Sequence, residues 1–364
     1  MRPIDHDTNV QGSPLPLQQD YQRFLLLGSR RAPHTLYMHE RGYRSGTINT
    51  DSHGMRYSHC ADRRCSVTEH SGVKRVNLLV GGSTTLGIGA SSDKHTIASY
   101  LSALTGEVWL SLAGCGLNAT QELLMFLTHQ HRFTEVGHVV VLSGLNTVAH
   151  EALGEVLAGD HEQGHALAYQ DLLNSFNEGV HTAHPPPGES LWRRLGQALA
   201  PRRQSPAPAW KLSPPDKRLA RAADTIGRSL QQWDRLLGGG YATLTFILQP
   251  LLPWCREAIP QGEQLMLQHL QRQPTNFDRL LADVFDSQLH TDFFRRIKQQ
   301  AAQVPCYDMN CMLSSCAMFD QPLFVDRLHF NDLGNSALAK VITAKLGLAQ
   351  EKHANYRPPP VRLV

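Results

Sequence analysis

Ser83 stands in Gly81-Gly82-Ser83-Thr84, directly after an apolar run over residues 76–80. Two glycines permit a tight backbone turn, and a serine just past a buried strand is a nucleophile candidate. Three other chemistries compete for the same glycines. A phosphate loop needs Lys after Gly87 in the spacing Gly82-x-x-x-x-Gly87, and Ile88 is there instead. A dinucleotide fingerprint needs Gly-x-Gly-x-x-Gly, which the segment lacks. The nucleophile elbow of α/β-hydrolases needs Gly two residues after the serine, and that residue is Thr85. The plain alternative is a strand-to-helix turn capped by Ser83 or Thr84.

A serine nucleophile needs a base, and the base needs an acid that fixes its tautomer. Asp326-Arg327-Leu328-His329 can supply both from one turn, although a surface Asp–His pair is the ordinary reading of that spacing. Two further turns carry donors of the kind that stabilise an oxyanion, a glycine N–H and an asparagine amide. They are Gly114-Cys115-Gly116-Leu117-Asn118, with Gly116 as the candidate, and Gly144-Leu145-Asn146. Each alone is a routine turn. Their weight lies in following successive strands of one sheet.

The elements that must position these residues can be read from periodicity. Apolar runs at residues 76–80, 108–112, 138–143 and 243–249 predict parallel strands buried on both faces. Helical stripes follow the first three, at 94–104, 120–133 and 147–157. Strand alternating with helix implies an α/β fold with a parallel sheet between helices. After about residue 158 the rhythm breaks into Pro185-Pro186-Pro187-Gly188 and a Pro-, Ala- and Arg-rich run over 201–215, read as irregular connection. A helix is predicted over 216–237, capped at Asp216, with Leu219, Ala223, Ile226, Leu230, Trp233 and Leu237 on one stripe. A last helix begins near Asn331, with Leu338, Ile342 and Leu346 on its stripe. A helix at 17–27 and a turn-rich loop at 49–56 belong to the less legible first 75 residues. The domain reading is an N-terminal extension packing on the core (1–75), a catalytic-type domain (76–348, with an insertion at about 158–240) and a C-terminal tail (349–364).

Composition bounds the function. Of 364 residues, 41% are hydrophobic and 18% charged, which is globular and far from disorder. A net charge of +3 over this length argues against a nucleic-acid protein. The apolar runs stop after a few residues, whereas a membrane span needs about 18 or more. The polar N-terminus has no apolar leader segment, and the seven cysteines (Cys60, Cys65, Cys115, Cys255, Cys306, Cys311, Cys316) are odd in number, so a cytoplasmic location with reduced thiols is expected. Residues 191–236 hold ten Lys/Arg against three Asp/Glu. That surplus reads as a solvated helix face, or as a docking surface for an acidic partner such as an acyl carrier, with Arg218 and Arg221 as its test positions.

Taken together, the Ser83, Gly116, Asn146 and Asp326-x-x-His329 blocks resemble the SGNH hydrolases, a branch of the GDSL esterase and lipase group. Order and spacing fit from about residue 76 to 346, interrupted by the insertion. The resemblance implies a three-layer α/β/α, flavodoxin-like fold with a five-stranded parallel sheet. It implies Ser83 as nucleophile, His329 as base and Asp326 as the orienting acid. It implies an oxyanion hole from the N–H groups of Ser83 and Gly116 and the Asn146 side chain, with no metal or cofactor required. The chain departs from the family where Gly82 and Thr147 replace usual aspartates. Residues 49–56 and Gln249-Pro250 look like a bacterial subgroup found near polysaccharide or secondary-metabolite genes. The expected reaction is acyl transfer from an ester or thioester, through an acyl-serine, to water or an alcohol. The alternative is a non-catalytic protein of this fold that binds a sugar or acyl ligand.

Other residues are weighed and set aside. Cys306, Cys311 and Cys316, and also Cys60 and Cys65, recur at five-residue spacing, but no His accompanies them in a zinc pattern. His129 and His131 face different ways on a helix. His53 and His59 could line a cleft, but loop histidines are the ordinary reading.

Overall fold

The computed structural model describes residues 20–25 apart from 22, then 30–32, 36–158, 212–239, 242–256, 258–272, 280–285 and 287–348. The main sheet contains five parallel strands in the order β6 (Trp109–Ala113), β5 (Arg75–Gly81), β7 (Glu135–Ser143), β8 (Thr243–Leu248) and β9 (Cys306–Asp308). Two small antiparallel pairs precede it: β1 (Arg30–Ala32) with β2 (Leu36–Met38), and β3 (Ser58–Cys60) with β4 (Arg63–Cys65). From β5 the chain runs out to β6 and then crosses back to β7 on the other side. This reversal makes the carboxyl ends of β5, β6 and β7 a topological switch point, where the outgoing loops diverge and leave a crevice.

The strands are apolar because both faces are covered. Along β5, Val76, Leu78 and Val80 point to one layer and Leu79 to the other. The Leu79 side, with Val140, Leu142 and Ile247, packs under α2 (Ile97–Thr105) and α10 (Asp332–Lys345). The opposite side packs under α3 (Ala119–His129), α4 (Leu145–Ala158), α5 (Pro215–Leu237) and α8 (Ser287–Gln300). The short helices α1 (Ser83–Leu86), α6 (Leu252–Cys255) and α9 (Met309–Met312) follow β5, β8 and β9, and α7 (Gln261–Arg272) lies between the last two of these strands in sequence. The result is the expected three-layer α/β/α arrangement.

Four strands lie where periodicity puts them. β9, which has only three residues after Pro305, has no periodic signal of its own. α5 differs from expectation at its start. Its N-cap is Pro214 with Pro215 in the first turn, so Asp216 does not cap it. Its apolar stripe is buried as expected: Leu219, Ala223, Ile226, Leu230 and Trp233 all lie in the core layer, and the Trp233 ring lies 4.7 Å from that of Phe126. The Pro-rich run before residue 212 and the tail after 348 lie outside the described residues. Of the helix expected at 17–27, residues 20, 21 and 23–25 are helical. Tyr21, Phe24 and Ile48 pack on Leu86, Ile88 and Ala113, so this N-terminal part sits against the turn that follows β5. Among the described residues, no helix is long and apolar enough to cross a membrane.

Candidate active site

Ser83 is the first residue of α1, immediately beyond β5. Gly82 is the N-cap, and no side chain caps this helix. The expectation that Ser83 or Thr84 serves as a cap therefore fails, and both hydroxyls have other partners. Ser83 Oγ lies 2.7 Å from His329 Nε2. On the other side of the ring, His329 Nδ1 lies 2.6 Å from Asp326 Oδ2. The three residues expected from sequence thus form one continuous hydrogen-bonded chain across 246 residues of sequence separation.

The Asp326-x-x-His329 loop is fixed by backbone bonds. Asp326 Oδ1 accepts from Leu328 N and His329 N, each at 2.8 Å. Val325 N donates to His329 O, and the flanking Phe324 and Phe330 pair their backbones and bring their rings within 4.2 Å. Leu252 N donates to Arg327 O at 2.8 Å. Thr84 Oγ1 donates to Leu328 O at 3.0 Å and accepts from Gln249 Nε2 at 3.3 Å. Burial alone would raise the Asp326 pKa, but the charge and hydrogen bonds of His329 and the two backbone donors outweigh it and hold the carboxyl below its ordinary value. Asp326 is therefore an anion at neutral pH, as an orienting acid must be. This is a half-buried, locked arrangement, unlike a mobile surface pair.

Asn146 sits in the first turn of α4, after β7. Its Nδ2 donates one hydrogen to Leu117 O at 3.0 Å, and an amide carries a second. The same nitrogen comes within 2.4 Å of where a Cβ on Gly82 would be. Glycine at position 82 is what lets the Asn146 amide lie against the serine turn. The next residue, Thr147, accepts from Ala119 N through its Oγ1 at 3.1 Å and ties α4 to the start of α3.

Gly116 adopts φ +74°, a left-handed turn that favours glycine. Its carbonyl accepts from His150 Nε2 at 2.9 Å, while His150 Nδ1 accepts from Asn118 Nδ2 at 3.0 Å. Burial lowers the His150 pKa to about 4, so the ring is neutral and these two contacts assign its tautomer. Asn118 also forms the capping box of α3 with Gln121. One residue before Gly116, Cys115 N donates to His39 Nε2 at 3.1 Å, and burial lowers that imidazole to about 4 as well. The Gly116 turn is thus held by two neutral histidines, the buried His39 and the half-buried His150.

Sequence reasoning missed these positioning groups: Thr84, Gln249, His39, His150 and Arg56. Arg56 is fully buried. It contacts Asp93 at 2.9 Å, Leu86 O at 3.1 Å, Gly87 O at 2.7 Å and Thr47 O at 2.8 Å, so it fixes the end of α1. The turn-rich signature at 49–56 marked its neighbourhood without its role. His53 and His59 are elsewhere. His53 contacts Ser52 and Arg132, and His59 N donates to Ser99 Oγ. Of the basic stretch, residues 191–211 lie outside the described residues. Arg218 is buried and its guanidinium is taken by Ser213 O, Leu280 O and Asp283, so it is not a docking residue. Arg221 pairs with Glu151 and Glu155.

No family model matches the chain, and no curated protein matches it. Among solved structures it is similar to a lipase/acylhydrolase from Enterococcus faecalis, at 12% identity over 76% of this chain and 98% of that one, with a TM-score of 0.33. It is also similar to a member of the lipolytic G-D-S-L family from Veillonella parvula, at 10% identity over 75% of this chain and 97% of that one, with a TM-score of 0.38. A third is a lipase from a goat rumen metagenome, at 13% identity over 74% and 96% of the two chains, with a TM-score of 0.38.

Proposed function

We propose that this protein is a serine hydrolase or acyltransferase of SGNH type, acting on an ester or thioester through an acyl-serine. The observation that carries the reading is the unbroken contact chain Ser83–His329–Asp326 at the carboxyl edge of a parallel sheet. In the proposed cycle, His329 Nε2 takes the Ser83 proton as Oγ attacks the carbonyl carbon. Asp326 stabilises the imidazolium and keeps its Nδ1–H directed inward. The oxyanion is received by the N–H groups of Ser83 and Gly116 and by the Asn146 amide, where loss of one donor costs about 100- to 1000-fold in rate. His329 then gives its proton to the leaving alkoxide or thiolate. Water or an alcohol, deprotonated by the same imidazole, attacks the acyl-serine and returns the free hydroxyl.

The test is a series of p-nitrophenyl esters from acetyl to dodecanoyl, with Ser83→Ala protein as the blank. Turnover of at least one ester that vanishes in the blank supports the reading. A folded wild-type protein with no turnover above the blank across the series favours a ligand-binding role.

A further inference from the structure

A second constellation lies at the far edge of the sheet, where β9 ends in Asp308. α9 carries Cys311 less than one turn later, and α8 brings His290 in from the outer layer. Asp308 Oδ2 lies 3.4 Å from His290 Nε2 and 3.5 Å from Cys311 Sγ, and Sγ lies 3.9 Å from Nε2. Among the described residues, this is the group of three in which His, Cys and carboxylate atoms converge closely enough to share an ion.

The geometry separates two chemistries. In a nucleophile relay the carboxylate and the nucleophile must occupy opposite nitrogens of the ring, as Asp326 and Ser83 do on His329. Here Asp308 and Cys311 both approach Nε2, so no relay forms. A tetrahedral zinc, with Zn–S about 2.3 Å and Zn–N and Zn–O about 2.0–2.1 Å, has ligand-to-ligand edges of about 3.3 Å (N to O) and about 3.5–3.6 Å (S to either). The observed edges of 3.4, 3.5 and 3.9 Å therefore need only a few tenths of an ångström of closure, on one edge.

The surroundings supply what a metal site needs behind its ligands. Asp308 Oδ1 accepts from Asn310 N at 3.0 Å and from Asn310 Nδ2 at 2.9 Å, which leaves Oδ2 turned toward the cluster. The His290 ring is stacked on Trp254, with centroids 5.6 Å apart and planes at 25°. A cavity of about 450 Å³ opens beside the cluster, lined by His290, Cys311, Asn310, Trp254 and Arg256 among others. None of its lining residues belongs to the Ser83 relay.

We propose that His290 Nε2, Asp308 Oδ2 and Cys311 Sγ form a three-ligand site for a divalent transition metal, zinc first, with the fourth position open to this cavity. A thiolate with an imidazole selects such a metal over magnesium or calcium. Binding exchanges the Cys311 thiol proton for the metal and releases that proton to solvent. The bound ion ties α8 and α9 to the edge strand β9, the least extensively paired strand of the sheet.

The test uses the full chain freed of metal by chelator and titrated with zinc by calorimetry, then with cobalt(II) by absorption spectroscopy. The expected result is one zinc per chain and a thiolate-to-cobalt charge-transfer band. Cys311→Ser, at an exposed position that tolerates the change, removes the band and weakens zinc binding by about 100-fold or more. His290→Gln weakens zinc binding comparably, whereas Cys316→Ser keeps the band, with far-UV circular dichroism showing all three variants folded. The absence of stoichiometric zinc binding, or a cobalt band that persists in Cys311→Ser, overturns the site. Should His290→Gln fail to fold, the Cys311→Ser and Cys316→Ser pair decides the question alone.

Discussion

The His329 imidazole is held from both sides, and that arrangement makes Asp326 more than a charge. An amide at position 326 would offer its N–H or its oxygen to Nδ1 with similar ease and lose control of the tautomer. Asp326→Asn is therefore expected to lower kcat by about 10,000-fold on any ester the wild type turns over, with circular dichroism unchanged. His150 acts one step further back, through the Gly116 carbonyl. His150→Leu loosens the Gly116–Leu117 peptide and with it the turn that carries the neighbouring Gly116 N–H, and an oxyanion donor displaced by about 1 Å costs about 100-fold in kcat with KM nearly constant. His150→Gln, which can still donate to Gly116 O, recovers part of the loss; equal kcat in both variants would refute the positioning role. At this scale, Ser83, Gly116 and Asn146 were legible because turns that are routine singly follow successive strands of one sheet, and Asp326 and His329 because their spacing can supply an acid and a base from one turn. Thr84, Gln249 and His150 were not, because they work through backbone carbonyls or another hydroxyl, which no residue type announces.

The helices and strands add constraints of their own. Glu122, on α3, is buried with Oε1 accepting from Ser143 Oγ at 2.6 Å. Its other oxygen has no partner among the described residues, and burial raises its pKa to about 8. The sign of the consequence follows from linkage. Between the unfolded value near 4.5 and about 8, the unfolded chain has lost this proton and the folded chain keeps it. Stability must then fall with rising pH, by roughly 1 kcal/mol per pH unit. Urea unfolding from pH 5 to 8 should show the wild type losing stability relative to Glu122→Gln at this slope, the rise from the buried histidines being common to both; parallel curves would mean that the carboxyl is already ionised. The same element scale shows where sequence reading stopped. β5 to β8 were legible as apolar runs because both sheet faces are buried. β9 is too short for periodicity, and its neighbours in the metal constellation come from α8 and α9, 21 residues apart. α5 was read as an apolar stripe backed by a charged, solvated face; the stripe forms a core layer, but Arg218 turns inward to Asp283.

At the scale of the molecule, the N-terminal part and the sheet meet at Arg56. This one guanidinium neutralises Asp93 inside the protein and holds the carbonyls of Leu86 and Gly87, at the far end of the helix that begins with Ser83. Arg56→Ala leaves Asp93 buried without its cation and is expected to destabilise the protein by about 3–5 kcal/mol in urea unfolding. Arg56→Lys keeps the charge but not the fork of donors, and should fall between the two. A loss below about 1 kcal/mol in Arg56→Ala would mean that the clamp is dispensable. The architecture was legible in the alternation of strand and helix; the clamp was not, since an arginine in a polar loop carries no mark of burial. The central claim is that Ser83 is made nucleophilic by His329. It is tested most directly by treating the intact protein with a fluorophosphonate and locating the adduct by mass spectrometry. A single adduct on Ser83, lost in Ser83→Ala and at least a thousandfold slower to form in His329→Ala, is the predicted result. A folded protein that stays unlabelled, or that labels equally fast without His329, contradicts it.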